Sequence, residues 1–272
     1  MASATRTAAD PLTPSPARPQ VARFGAGGWV LPLVSLALLV LVWALAAWIA
    51  AAPRLLPPPA DVALRLAREA VDGELFYHLG VTLLRVVASF AIAMTLGAGA
   101  GLLMGRVPLA DALGTPWLLF FLNLPALVVI VLCYLWIGLT ETAAIAAVAL
   151  NKIPNVAVTL REGAKALDPD LMAMAKAFRV PHRRVLAHIV LPQLWPYAIG
   201  AARSGLALIW KIVLVVELLG RSNGVGFQIA LFFQLFDVEG ILAYALAFIV
   251  IVQAIEWALL QPLERRMNRW RR

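Results

Sequence analysis

Lys152, Arg203, Lys211, Glu217 and Glu256 interrupt stretches of sequence that are otherwise apolar. A charge near the middle of a bilayer costs roughly 2.5–3.5 kcal/mol on insertion scales, so each of these residues needs a physical reason. Arg203 and Lys211 are spaced to fall within about 80° of each other on a helix of 3.6 residues per turn. Together with Lys152 they could form a cationic lining that attracts a small anion. The competing reading is that each cation snorkels to the interface or pairs with Glu217 or a backbone carbonyl. Glu217 itself fits either a place on such a lining or a structural role. Asn123 and Asn151 are polar residues inside apolar runs. They could line the same path, or hydrogen-bond between helices for typically under about 2 kcal/mol each.

Other chemistry is not encoded. His78, His182 and His188 lack metal-ligand spacing. No Ser/His/Asp or paired-carboxylate set falls on one expected face, so no catalytic residue is assigned. Gly-x-x-x-x-Gly-Lys-Ser/Thr does not occur, and with it goes the usual phosphate loop. No metal or cofactor is expected in this chain. Cys133, the single cysteine, cannot form an intrachain disulfide and reads as a packed thiol.

The most informative stretch is the charged segment from Arg161 to His188. Asp168-Pro169-Asp170 is a helix start: Asp168 can cap, Pro169 suits the first helical position, and Asp170 meets the positive end of the helix dipole. Leu171, Met174, Ala175 and Phe178 follow at i, i+3, i+4 and i+7, one apolar face of a short helix. Pro181 disfavours helical geometry at Val180 and closes the element. Such a helix could lie on lipid headgroups or dock on a soluble partner.

The elements that must hold these residues are apolar helices. Of the 272 residues, 62% are hydrophobic and 14% charged, against roughly 45–50% and about 25% in soluble domains. Too little polar surface remains to cover a water-soluble body. Runs able to cross about 30 Å of hydrocarbon are Trp29–Ala52, Val86–Gly105, Pro116–Gly138, Thr142–Leu160, Gln193–Leu219 and Gly240–Leu260. The expected fold is an all-α polytopic membrane protein of about six spans, with the short helix between the fourth and fifth. Gly97, Gly99, Gly101 and Gly105 in the second run would permit close helix approach. Asp61 to Glu69 is expected as a short amphipathic helix. Residues 1–24, rich in Ala, Pro, Ser and Thr, read as a disordered tail, residues 25–263 as the membrane domain, and 264–272 as a basic tail.

The net charge is +8, but the basic residues flank apolar runs, which orients a membrane protein rather than binding nucleic acid. With six spans, Arg6, Arg18, Arg23, Arg106, the cations of 161–188 and Arg265, Arg266, Arg269, Arg271 and Arg272 share one side. Arg54, Arg65, Arg68 and Arg221 are left for the other. The richer side is expected to be cytoplasmic, with both termini on it.

At the same segment the chain resembles the permease subunits of bacterial binding-protein-dependent ABC importers. Their pattern is Glu-Ala-Ala, three residues, Gly, nine residues, Ile, one residue, Leu-Pro. Ala175 takes the second Ala position, Arg179 the Gly position, and Ile189, Leu191 and Pro192 the end; Ala173 stands for the Glu. Arg accepts positive φ poorly, so the helix is expected to run on to Val180. Leu56-Pro57-Pro58-Pro59, Gly163 with Asp168-Pro169-Asp170-Leu171, and Glu217-Leu218-Leu219-Gly220 with Gly224-Val225-Gly226 are similar to the nitrate/sulfonate/taurine branch of these permeases. The resemblance implies a translocation subunit in the bacterial inner membrane, paired with a second permease chain, expected to be an identical copy. It also implies a cytoplasmic ATP-binding subunit that holds ATP and Mg, and a periplasmic substrate-binding protein. The helix over about 168–180 would then be the coupling helix, with Asp168, Asp170, Leu171, Ala173, Met174, Ala175, Phe178, Arg179 and Pro192 at the contact. The alternatives are a stand-alone channel or secondary transporter, which would show two similar halves, and a polytopic membrane enzyme.

Overall fold

The computed structural model describes residues 30–260; the tails expected over 1–24 and 264–272 lie outside the described residues. Every regular element among these residues is helical. Helix α1, Val30–Ala50, belongs to a unit of its own, while residues from Ala52 onward form a second compact unit. Apolar on all sides, α1 has the character of a helix made for lipid.

In the second unit, α2 (Pro59–Val71) starts directly after Pro57 and Pro58, with Pro59 at its first position, and runs slightly longer than the expected Asp61–Glu69. Val62 is its buried anchor, and Arg65 forms ion pairs with Glu69 at 3.2 Å and Asp237 at 3.5 Å. Helix α3 (Leu75–Arg106) begins well before the charge-free run that marked it in the sequence, so Arg85 lies inside the helix rather than at its edge.

The third apolar run is not one straight helix. It forms α4 (Pro108–Asn123) and α5 (Ala126–Ile137), bent by 97° at the break. Pro125 is the cause: the residue before a proline is pushed out of helical geometry, and Leu124 has ψ of 124°. Helix α6 (Glu141–Lys165) is capped by Thr140, whose Oγ1 accepts from the Ala143 N–H at 3.2 Å. Then come the short α7 (Pro169–Ala177), α8 (His182–Val185), a π-turn over Leu186–Val190, and α9 (Leu191–Gly220). Helices α10 (Val225–Gln234) and α11 (Val238–Ile255) complete the order, with a second π-turn over Glu256–Leu260. The described residues contain five helices long and apolar enough to cross a membrane, or six if the bent α4–α5 pair is one span.

Helices α3, α6 and α9 form the centre. Two core clusters run along them. One is built around Val86, Ile130, Val148, Ile209, Val213 and Tyr244; the other, nearer α7, around Val156, Leu160, Val190 and Leu194. In lipid the force between helices is close packing rather than escape from water. Three of the five glycines of α3 serve it: a Cβ on Gly97, Gly101 or Gly105 would lie 2.6, 2.4 and 2.4 Å from Val156 Cβ, the Ala157 carbonyl oxygen and Ala164 Cβ. Gly99 faces open space and takes no part, because it lies off the four-residue stripe.

Candidate functional site

Local chemistry fixes both ends of α7. The Asp168 carboxylate accepts from the backbone N–H of Asp170 at 2.8 Å and of Leu171 at 3.3 Å, two of the donors a helix start leaves open. The N–H of Asp168 itself donates to Gln193 Oε1 at 2.9 Å, and Gln193 Nε2 donates to the Ile189 carbonyl at 3.0 Å. The cap is thereby tied to the first turn of α9. At the other end the Arg179 N–H donates to the Lys176 carbonyl at 3.1 Å and the Val180 N–H to the Ala175 carbonyl at 2.9 Å. These are the paired bonds of a Schellman stop, which needs a left-handed residue between them. Arg179 supplies it with φ of +49°. The expected continuation to Val180 is therefore corrected: the helix ends at Ala177. Two satisfied carbonyls offset the roughly 1–2 kcal/mol that left-handed backbone costs a residue with a Cβ.

The apolar stripe of α7 is divided in the structure. Ala175 is buried, and Met172 packs beside it on the cluster of Leu160 and Ala164. Leu171, Met174 and Phe178 point outward, 39%, 47% and 78% exposed. Asp170, Ala173, Arg179 and Pro192 are exposed as well, as are Lys176, His182, Arg183 and Arg184. The result is a short helix with pinned ends that offers three apolar side chains inside a basic surround.

The opposite end of α6 carries a charge network that runs from the exposed Glu141 to the buried Arg85 and Glu217. Arg85 donates from Nη1 to Glu217 Oε1 at 2.7 Å and to the Asn223 carbonyl at 2.8 Å. Its Nε donates to Glu141 Oε2 at 2.8 Å, and Nη2 reaches Glu141 Oε1 at 2.5 Å and Asn223 Oδ1. Glu217 Oε2 accepts from Thr82 Oγ1 and from the Gly226 N–H, both at 2.9 Å. Arg221 adds a second cation, 2.5 Å from Glu141. The buried pair Arg85 and Glu217 balances, as burial of charge requires, and Glu141 with Arg221 extends the network toward the surface. This explains the run Glu217 to Gly226. Gly224 has φ of +104°, and a Cβ there would stand 2.4 Å from the Glu217 carboxylate. Glu217, a candidate for the solute path, has no exposed surface and both oxygens bonded. That placement is corrected: it joins α3 and α9 to the loop before α10. The charge-free run begins at Val86, which leaves Arg85 just outside the span that the sequence marks. The available signal was His78, Thr82 and Arg85 at i, i+4 and i+7, a polar stripe on an otherwise apolar helix.

The remaining intramembrane residues do not share one lining. Lys152 is 3% exposed, with its stem against Gly205 of α9. Arg203 and Lys211 instead line a groove of about 410 Å³ between α9 and α11, with Trp210, Gln253 and Glu256. They turn away from Gly205 because a helix separates them from it by more than 100°. Asn151 Nδ2 is buried without a hydrogen-bond partner. Asn123 Nδ2 donates to the Leu119 carbonyl at 2.7 Å within its own helix, so the expected interhelical bond is not made there. A second ion cluster was unforeseen: Asp111 of α4 pairs with Arg161, and with Lys165 at 2.8 Å, while Arg161 also bonds Thr115 at 3.1 Å. It fastens the start of α4 to the end of α6, close to α7 in sequence.

Known proteins are similar to this chain in sequence and in fold. The family model described as "Binding-protein-dependent transport system inner membrane component" matches residues 93–269. A putative aliphatic sulfonates transport permease protein of Bacillus subtilis is 26% identical over 90% of this chain and 88% of its own length. The taurine transport system permease protein of Escherichia coli is 27% identical over 88% and 89%. A bicarbonate transport system permease protein of Synechococcus elongatus is 25% identical over 60% and 59%. Among solved structures, that of an amino acid ABC transporter with histidines has the same fold, with a TM-score of 0.60, 20% identity, and coverage of 74% of this chain and 97% of that one. The chain belongs to the inner-membrane component family of binding-protein-dependent transport systems, as an ABC importer permease of the nitrate/sulfonate/taurine branch.

Proposed function

We propose that this permease forms, with a second copy of itself, the solute path of an importer for a small anion carrying a sulfonate or a comparable oxyanion group. A separate cytoplasmic ATP-binding subunit drives it, and a periplasmic binding protein supplies the solute. The observation that carries the coupling part is α7. A nine-residue helix pinned at both ends and offering Leu171, Met174 and Phe178 outward suits a groove on a soluble subunit better than lipid. Its apolar residues are few, and its start is tied to α9 through Gln193. A rigid short helix of this kind can pass a domain motion to α6 and α9, from which it emerges. The similar permeases named for sulfonates, taurine and bicarbonate support the anion class, as do the cations Lys152, Arg203 and Lys211.

Phe178→Asp places a charge on the most exposed apolar side chain of the docking patch, where truncating an anchor typically costs about 2 kcal/mol or more. The variant should insert normally and lose most of the ATP-binding subunit on affinity purification from detergent. Full recovery of the complex would refute docking through this face. Transport by the purified chain alone, without ATPase subunit or nucleotide, would favour a channel or secondary transporter instead.

A further inference from the structure

The buried polar side chains among the described residues are His78, Thr82, Arg85, Ser89, Lys152 and Glu217. All but one of them have hydrogen-bond partners. The exception is Lys152: no hydrogen bond or ion pair joins its ammonium to another described residue. It lies near the middle of the 25-residue α6, too deep for a four-carbon stem to carry the charge to either interface. The chain makes room for it. Gly205 of α9 stands where any Cβ would come within 2.8 Å of Lys152 Cε and 3.8 Å of Nζ. The neighbouring Asn151 Nδ2, on a different face of α6, is also buried without an acceptor. The Lys152 ammonium is a donor and what it lacks is an acceptor; next to an ammonium the best acceptor is an anion.

We infer that Lys152, seated in the notch left by Gly205, is a mid-span receptor for the anionic group of the solute, a sulfonate or an oxyanion of similar size. The inference rests on the importer reading for its biological sense, but the site can be tested without it. A resting charge with no partner is held ready, and the solute completes its coordination while passing. The groove that holds Arg203 and Lys211 is a separate place, on the other side of α9, and is not needed for this contact.

The test uses the full-length chain in lipid nanodiscs. Thermal unfolding is followed in sodium methanesulfonate and in sodium nitrate, with sodium gluconate at equal ionic strength as the bulky-anion control. Ligand that binds only the folded state raises its melting temperature by mass action, here by roughly 3 °C or more near saturation. The wild type should show this rise with at least one of the two small anions. Lys152→Met should abolish it, while melting in gluconate no earlier than the wild type, because replacing an unpaired buried charge by an apolar side chain is not destabilising. Should Lys152→Met fail to assemble, Gly205→Ala keeps the charge but displaces the stem, and should raise the half-saturating anion concentration about tenfold, equivalent to about 1.4 kcal/mol. A rise retained in Lys152→Met, an unchanged half-saturation in Gly205→Ala, or a wild type indifferent to both anions overturns the site. Uptake measured in parallel separates the two readings. Sulfonate uptake that persists with no anion-dependent melting leaves the importer and removes this receptor. Uptake of only neutral or cationic solutes, with the melting pattern intact, leaves an anion site at Lys152 and removes the anion-importer reading.

Discussion

Arg85 and Glu217 are buried, 3% and 0% exposed, and the charge of each is offset chiefly by the other. Removing one partner of a buried ion pair leaves an uncompensated charge and typically costs about 3–5 kcal/mol, whereas replacing the whole set by neutral groups is often close to harmless. Glu141 keeps Arg221 at 2.5 Å when Arg85 is lost, so the damage concentrates on Glu217. Arg85→Met is therefore expected to lower stability by about 3–5 kcal/mol. Arg85→Met with Glu217→Gln should recover a large part of that loss. Denaturant titration of the purified chain in nanodiscs measures both, and equal losses in the single and double variants would contradict the pairing. The same logic separates Lys152 from these residues, since its charge lacks any such compensation among the described residues.

At the scale of the element, α7 shows how capping can override a poor local residue. A family position normally held by glycine is filled by Arg179, yet the turn closes with the same two hydrogen bonds. The strain remains and can be released. Arg179→Gly should stabilise the helix end by about 1 kcal/mol, the lower end of what left-handed backbone costs a residue with a Cβ. Slower amide exchange at Arg179 and Val180, with ATPase association kept, is the expected outcome. Faster exchange would mean that the arginine side chain contributes more than the backbone loses. Helices α4 and α5 teach the complementary lesson. A single proline turns an apolar run into two helices 97° apart, and the Asp111 cluster with Arg161 and Lys165 fixes where the first of them starts.

For the whole molecule, orientation follows from span count and basic residues together. If the bent α4–α5 pair crosses once, there are six spans, and the cations of 161–188 share a side with the basic ends of the chain, as the positive-inside tendency favours. If the pair turns back, the two richest basic segments are split between sides. Ala173, exposed on α7, is a suitable reporter. Ala173→Cys, in a background with Cys133 replaced by Ala, should resist an impermeant maleimide in intact spheroplasts and react after permeabilisation. Labelling from outside would invert the orientation and remove the docking proposal with it.

Much of this molecule was legible in the sequence because lipid imposes a simple code. Long charge-free runs must be helices, since backbone groups in hydrocarbon have no partner outside the segment. Asp168-Pro169 marks a helix start through bonds only a few residues long. The stripe of Gly97, Gly101 and Gly105 announced a close neighbour by spacing alone. What tertiary structure decided were the matters that depend on distant partners. Whether Leu171 or Ala175 faces inward depends on the surface α7 meets. Whether Glu217 sees a solute path depends on Arg85, 132 positions away. Whether Lys152, Arg203 and Lys211 share one lining depends on how α9 is rotated between α6 and α11. Local chemistry sets helices, caps and stops; the meeting of a charge with its countercharge is set only by the packing that brings them together.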